Sequence, residues 1–159
     1  MTLKEIREEY GLTQKQVSLI LAMPERTYRR YEQDEQYGDN LKREALANTL
    51  LKNYEITETK GILSINQIKD KVTTLFEEKY KGQIDFCYLF GSYAKGYAKD
   101  ASDIDLYVST NLTGMRLAGL IENLRECLHK KVDVIRRSEL NNNIDLVNQI
   151  MKDGIKIYG

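Results

Sequence analysis

Residues 90 to 108 read FGSYAKGYAKDASDIDLYV, and the order of residue types in this stretch decides the fold of the second half of the chain. Gly91 and Ser92 follow the apolar run Cys87-Tyr88-Leu89-Phe90 and precede a short helical pattern. That is a strand-to-helix turn, where free backbone N–H groups hold phosphate oxygens and glycine lets a ligand approach the backbone. Ser92 adds a hydroxyl donor. After a spacer of ten residues, Asp103 and Asp105 flank Ile104. In a strand the two carboxylates project to one side, their Cα atoms about 6.6 Å apart, while Ile104, Leu106 and Val108 face a core. Like charges so placed repel, which is sensible around a hard cation such as Mg²⁺ that favours oxygen ligands. Phosphate grip and divalent cation in one loop suggest a metal-bound nucleoside triphosphate. A Gly-Ser pair alone is usually just a turn and a lone D-x-D often a solvated strand edge, so the weight rests on their combination.

Working outward, INQIKDKVTTLFEEKY repeats apolar residues at helical spacing, and QIDFCYLF is a compact apolar strand. SDIDLYVST alternates as a strand, GMRLAGLIENLRECL reads as an amphipathic helix, KVDVIRR as a strand and IDLVNQIMKDG as a helix, with IKIY a short closing strand. Residues 2 to 53 carry helical spacing only, in four short segments. Thr13 and Gln16 form a capping-box pattern, and Pro24 fits the first turn of the next helix. YEITETKGILS, residues 54 to 64, loses periodicity. The chain therefore divides into an all-α domain, residues 1–56, and an α+β domain, residues 65–159.

The motif, standing here as Gly91-Ser92-Tyr93-Ala94-Lys95-Gly96 and Ser102-Asp103-Ile104-Asp105-Leu106, resembles that of the DNA polymerase β-like nucleotidyltransferases, and most closely their minimal bacterial members. Lys95 takes the place of the commoner arginine, keeping the charge but not a bidentate clamp. The resemblance implies a small mixed sheet with helices, ATP as substrate, two Mg²⁺ ions and a third carboxylate, which KKVDVIRR supplies as Asp133. On that basis Asp103, Asp105 and Asp133 are the catalytic and metal-binding candidates, with Asp133 directing the nucleophile's proton. Gly91, Ser92 and Lys95 are the nucleotide-binding candidates. Tyr93 and Tyr97 stand nearby as base-stacking or packing residues. Minimal members are similar to antitoxins that silence HEPN ribonuclease toxins by transferring AMP to them, so the resemblance also implies a HEPN-type toxin as acceptor and partner. Two further readings stay open: a nucleotide-sensing transcription regulator without turnover, and a transferase that modifies transfer RNA or a drug.

LTQKQVSLILAMPERTYRRYE resembles the helix-turn-helix of Xre-type regulators, whose second helix enters the major groove. Val17, Ile20, Leu21, Tyr28 and Tyr31 would form its core, leaving Glu25, Arg26 and Arg29 outward and Gln14 and Arg30 as phosphate contacts. Ala22 stands where such turns commonly carry glycine. Residues 1 to 56 hold nine Lys or Arg against ten Asp or Glu, so strong nonspecific attraction to DNA is not expected. Operator DNA is one candidate partner, and docking or dimerisation of a small helical domain is the alternative.

The chain has 159 residues and zero formal net charge, with 42% hydrophobic and 30% charged residues, a composition of soluble globular proteins. The charged N-terminus and the absence of a long apolar run lead us to expect a cytoplasmic protein with no membrane partner. Cys87 and Cys127 read as reduced thiols and His129, the one histidine, as a helix-end residue. Self-association and a hetero-oligomer with the toxin are both compatible with this sequence.

Overall fold

Thr2 and Thr13 each close a capping box, opening α1 (Leu3–Glu9) and α2 (Gln14–Ile20) in a computed structural model that describes residues 1–159. At the second box the Gln16 N–H donates to Thr13 Oγ1 at 3.2 Å, and Gln16 Oε1 accepts from the Thr13 N–H at 2.8 Å. Two of the helix's orphan donors are thereby satisfied reciprocally. α3 (Glu25–Gln33) starts from Pro24 at its N-cap, and Asp39 caps α4 (Asn40–Tyr54) by accepting from the Lys42 N–H at 2.7 Å. These four helices make one compact unit, Met1–Glu55, and residues Ile56–Gly159 make another.

In the first unit Leu3, Ile6, Val17, Tyr28, Tyr31 and Leu50 are buried, with Ile20 and Leu21 half-buried against them. A polar network crosses the same interior. The Glu32 side chain of α3, 4% exposed, accepts from Arg7 Nε at 2.5 Å and from Gln14 Nε2 at 2.8 Å. One carboxylate therefore ties α3 to both preceding helices.

The turn after α2 is a Schellman motif. The Met23 N–H donates to Ser18 O at 3.0 Å and the Ala22 N–H to Leu19 O at 3.2 Å. This places Ala22 at φ 50°, the left-handed region where a Cβ is penalised and glycine is not. Ala22→Gly should therefore stabilise the first unit by about 1 kcal/mol, read as a rise in its thermal midpoint by helical circular dichroism. An unchanged or lower midpoint would show that the turn carries no such strain.

The second unit opens with α5 (Ile65–Lys79), capped by Ser64, and continues through β1 (Ile84–Phe90), α6 (Gly91–Lys95), β2 (Ile104–Thr110) and α7 (Gly114–Leu128). It closes with β3 (Val132–Ile135), α8 (Arg137–Leu140), α9 (Ile144–Asp153) and β4 (Ile155–Tyr158). The four strands form one sheet in the order β3-β2-β1-β4. β1 runs antiparallel to β2 and β4, and β2 runs parallel to β3. This is a mixed sheet in an α+β unit, as the sequence leads one to expect.

Alternation along the strands decides which face is buried. Cys87 and Leu89 of β1 with Ile104, Leu106 and Val108 of β2 pack against Ile68, Val72 and Phe76 of α5 and Leu120, Leu124 and Leu128 of α7. Asp105 and Tyr107 consequently belong to the opposite face. Both cysteines are free, Cys87 buried and Cys127 half-buried, and His129 ends α7 at φ 53°. The strand expected over 131 to 137 is shorter, and its last residues begin the single turn of α8. No helix is long and apolar enough to cross a membrane.

Candidate active site

Gly91 is where β1 turns into α6, and two independent constraints meet there. Its φ is 71°, a conformation that L side chains rarely adopt, and a Cβ at this position would run into Asp105 Oδ2. The glycine thus lets the strand-to-helix turn lie directly on one of the candidate carboxylates. Register explains the proximity, because Phe90, the residue before Gly91, pairs with Asp105 across the antiparallel β1–β2 ladder. Ser92 is half-buried in the first turn of α6, and its carbonyl accepts from the Tyr97 N–H at 3.1 Å. Gly96, at φ 82°, ends the helix and returns the chain toward β2.

The returning loop is a compact turn. Ser102 Oγ accepts from the Lys99 N–H at 2.8 Å, while the Ser102 N–H donates to Lys99 O at 2.9 Å. Asp103 comes immediately after this turn and immediately before β2, so it stands on a loop end rather than within the strand. Asp105 lies in β2, directly in register with Asp133 of β3. Parallel strands with about 4.8 Å between them thus bring together two carboxylates that are remote in sequence. Asp105 and Asp103 are half-buried and Asp133 is exposed.

Electrostatics register this crowding. The Asp105 carboxyl is pushed up to about 6, first by burial, then by the charge of Asp133, then by that of Asp103. Neutralising Asp133 or Asp103 removes part of what raises the Asp105 carboxyl.

The side chains do not form a ready-made cage. No three carboxylate, thiol or imidazole groups gather closely enough to hold an ion between them, in contrast to the convergence expected from sequence. Asp105 and Asp133 share a rung, whereas Asp103 sits one position outside the ladder. The donor chemistry still suits a hard divalent cation: three acidic oxygen donors, one of them disfavoured as a charge by burial and by the other two.

Lys95 is not gathered into the Gly91 turn. Its ammonium lies 4.0 Å from Asp153 Oδ2 of α9 and 6.0 Å from the centre of the Tyr97 ring. A pair at that separation is weak. Tyr93 is a core residue, 4% exposed, whereas Tyr97 is open to solvent.

Residues 70–159 match the family described as polymerase beta nucleotidyltransferase. The chain belongs to that family. The match spans the turn at Gly91 and Ser92 and all three aspartates, and makes the protein a nucleotidyltransferase. Two relatives of this nucleotidyltransferase occur in Methanocaldococcus jannaschii, both named as candidate protein adenylyltransferases. One is 33% identical over 87 residues and the other 32% over 85, each match covering 52% of this chain and 85% of the relative. Among solved structures, a toxin-antitoxin crystallised with AMP-PNP is similar at 26% identity and a TM-score of 0.47, over 57% of this chain and 73% of that one.

In the first unit the DNA-contact candidates separate. Arg26, Arg29 and Arg30 are exposed on α3 and, with Glu25 and Gln33, line one shallow surface cavity. Glu25 accepts from Arg29 Nη2 at 2.5 Å, and Gln14 is engaged by Glu32.

Two residues around the site escape a reading by motif. Ser102 closes the turn ahead of Asp103, for which an S-D-I-D spelling gives only the hint that serine favours turns. Lys130 is fully buried, yet as half of a Lys-Lys pair ahead of a strand it has the sequence signature of a solvated charge.

Proposed function

We propose that this nucleotidyltransferase is a metal-dependent protein adenylyltransferase, which moves AMP from ATP to a side-chain hydroxyl of a HEPN-type toxin and so acts as an antitoxin. The observation that carries the reading is the pairing of Asp105 with Asp133 across β2 and β3, beside the Gly91 turn that only a glycine fits. Transfer to protein is supported by the two archaeal relatives named for that activity. The toxin as acceptor rests on the likeness of the G-S and D-x-D motif to minimal antitoxins.

In this scheme Gly91 and Ser92 hold the β and γ phosphates through backbone and hydroxyl donors. Asp103, Asp105 and Asp133 would hold two Mg²⁺ ions, which neutralise charge on the phosphoryl oxygens when bound. The acceptor oxygen forms a bond to the α-phosphorus as the bond to the bridging oxygen breaks, and pyrophosphate leaves. Asp133, on the exposed side, takes the acceptor's proton. Incubating the protein with ATP labelled at the α-phosphate, Mg²⁺ and the product of the adjacent gene tests this. Label should appear on the partner and disappear when Asp103 and Asp105 are both replaced by alanine. Equal labelling by that variant would refute the assignment, and pyrophosphate-free nucleotide binding would favour a sensor without turnover.

A second role is favoured by α3. Arg26, Arg29, Arg30 and Gln33 follow helical spacing on one exposed face, as a recognition helix requires. We propose that this face, in a helix-turn-helix spanning α2 and α3, contacts operator DNA. Arg26→Ala with Arg30→Ala should weaken binding to the promoter fragment upstream of its own gene at least about tenfold and flatten the salt dependence. Fluorescence anisotropy that shows equal binding by the variant would leave the unit as a docking or dimerisation module.

A further inference from the structure

Lys130 is the one charged residue of the chain with no solvent exposure. Its ammonium donates to the carbonyl oxygen of Lys60 at 3.2 Å and to that of Asp100, and none of the ion pairs includes it. Enclosure holds its pKa below the ordinary lysine value, with only the Asp100 charge acting in the opposite sense. A shielded ammonium served by neutral carbonyls is a poor device for stability, since an apolar side chain of similar length avoids the desolvation altogether. Its position in the fold supplies another reason for it.

Asp100 stands three residues ahead of Asp103, and Lys130 three residues ahead of Asp133. The ammonium therefore joins the two lead-ins of the parallel strands on which Asp105 and Asp133 pair. The next tie along the same junction is the Ile104 N–H donating to Lys131 O at 2.9 Å. The Asp100 carbonyl belongs to the turn that Ser102 closes on Lys99. Ammonium on one side and serine hydroxyl on the other thus grip a single turn, whose exit is Asp103.

We propose that Lys130 is a positioning residue for nucleotidyl transfer, clamping the Asp100 carbonyl so that the turn over residues 99–102 delivers Asp103 in fixed relation to Asp105 and Asp133. This rests on the reading of those aspartates as the metal-binding set. Lys130 touches neither nucleotide nor acceptor in this role; it acts through the loop. The Lys60 carbonyl extends the clamp to the turn closed by the Thr57–Lys60 bridge, so three segments remote in sequence meet at one nitrogen.

The test uses the full chain with Lys130→Met, and Ser102→Ala as a second variant that loosens the same turn from its other side. Mn²⁺ serves as the probe, its binding read by electron paramagnetic resonance, while amide hydrogen exchange is followed over residues 98–103. In Lys130→Met, exchange in that segment should quicken and Mn²⁺ affinity should fall about tenfold or more, as when a group that orients metal ligands is removed, with exchange in α5 and α7 unchanged. Unchanged exchange, or quickened exchange with wild-type Mn²⁺ affinity, overturns the proposal. If Lys130→Met does not fold, Ser102→Ala decides: wild-type Mn²⁺ affinity in that variant also overturns it. Should the wild-type chain bind no Mn²⁺, or bind it equally well with Asp103 and Asp105 replaced by alanine, the metal-site reading fails and the proposal with it. The exchange data would still report the clamp, so the two failures are distinguishable.

Discussion

Asp105→Asn is expected to lower nucleotidyl transfer by about 10³-fold, on the order of 4 kcal/mol of transition-state stabilisation, while making the second unit more resistant to heat at neutral pH. The two effects share one cause. Asp105 is half-buried beside Asp133 and Asp103, and its carboxyl is pushed from 3.8 up to about 6. A carboxyl with a raised folded-state pKa binds its proton more tightly in the folded than in the unfolded chain. Stability therefore falls as pH rises from about 4 to about 6, and the full penalty is present above that window. Asparagine removes it. The shift corresponds to no more than about 3 kcal/mol, and partial solvation reduces the expected gain to about 1 kcal/mol. Thermal melts at pH 7.5 and pH 4, in chelator, should show the variant ahead at the higher pH and level with wild type at the lower. A variant that melts lower at pH 7.5 would mean that Asp105 is a structural acceptor and not a frustrated charge. Mg²⁺ should raise the wild-type midpoint and leave that of Asp105→Asn nearly unmoved, through ligand-linked stabilisation.

Glu32→Ala should be the most damaging single change in the first unit, destabilising it by about 3 kcal/mol. Burial alone would raise the Glu32 pKa, but hydrogen bonds from Arg7, Tyr28 and Gln14 outweigh it and hold the carboxyl below its ordinary value. Truncation leaves the Arg7 guanidinium, 16% exposed, with only the longer carboxylate contact to the exposed Glu8 at 3.5 Å, and releases α1 and α2 from α3 together. The sign with pH is opposite to that of Asp105: the Glu32 contribution is present above the ordinary carboxyl value of 4.5 and is lost as pH falls through the lower folded value. Replacing both partners, with Arg7→Met and Glu32→Leu, should recover most of the loss because no charge is then stranded. Urea denaturation followed at 222 nm measures both. If Glu32→Ala costs no more than the double variant, the network is a surface pair of little consequence.

The contrast between these residues shows what can be read from the sequence and what cannot. Short-range rules carry the Thr13–Gln16 capping box, the core alternation of Ile104, Leu106 and Val108, and the helix ends at Gly96 and His129, because each depends on residues a few positions apart. The glycine requirement at Gly91 is half legible: the turn signals it, whereas the approach of Asp105 Oδ2 depends on the β1–β2 register. That Asp133 lies opposite Asp105 depends on β3 joining β2 in parallel, a choice made by α7 packing and not by any local pattern. Glu32 and Lys130 are invisible for a related reason. Each looks like a solvated charge until partners 18 to 25 and 30 to 70 positions away enclose it. The four residues of α8 are hidden because one turn is too short to show a period.

The sheet order also places β3 at a rim, with Asp133 open to solvent. A group mounted on an outer strand needs no deep cleft to be reached. For the protein acceptor proposed above, a hydroxyl on the surface of a folded neighbour could come to Asp133 without local unfolding or threading of an extended tail.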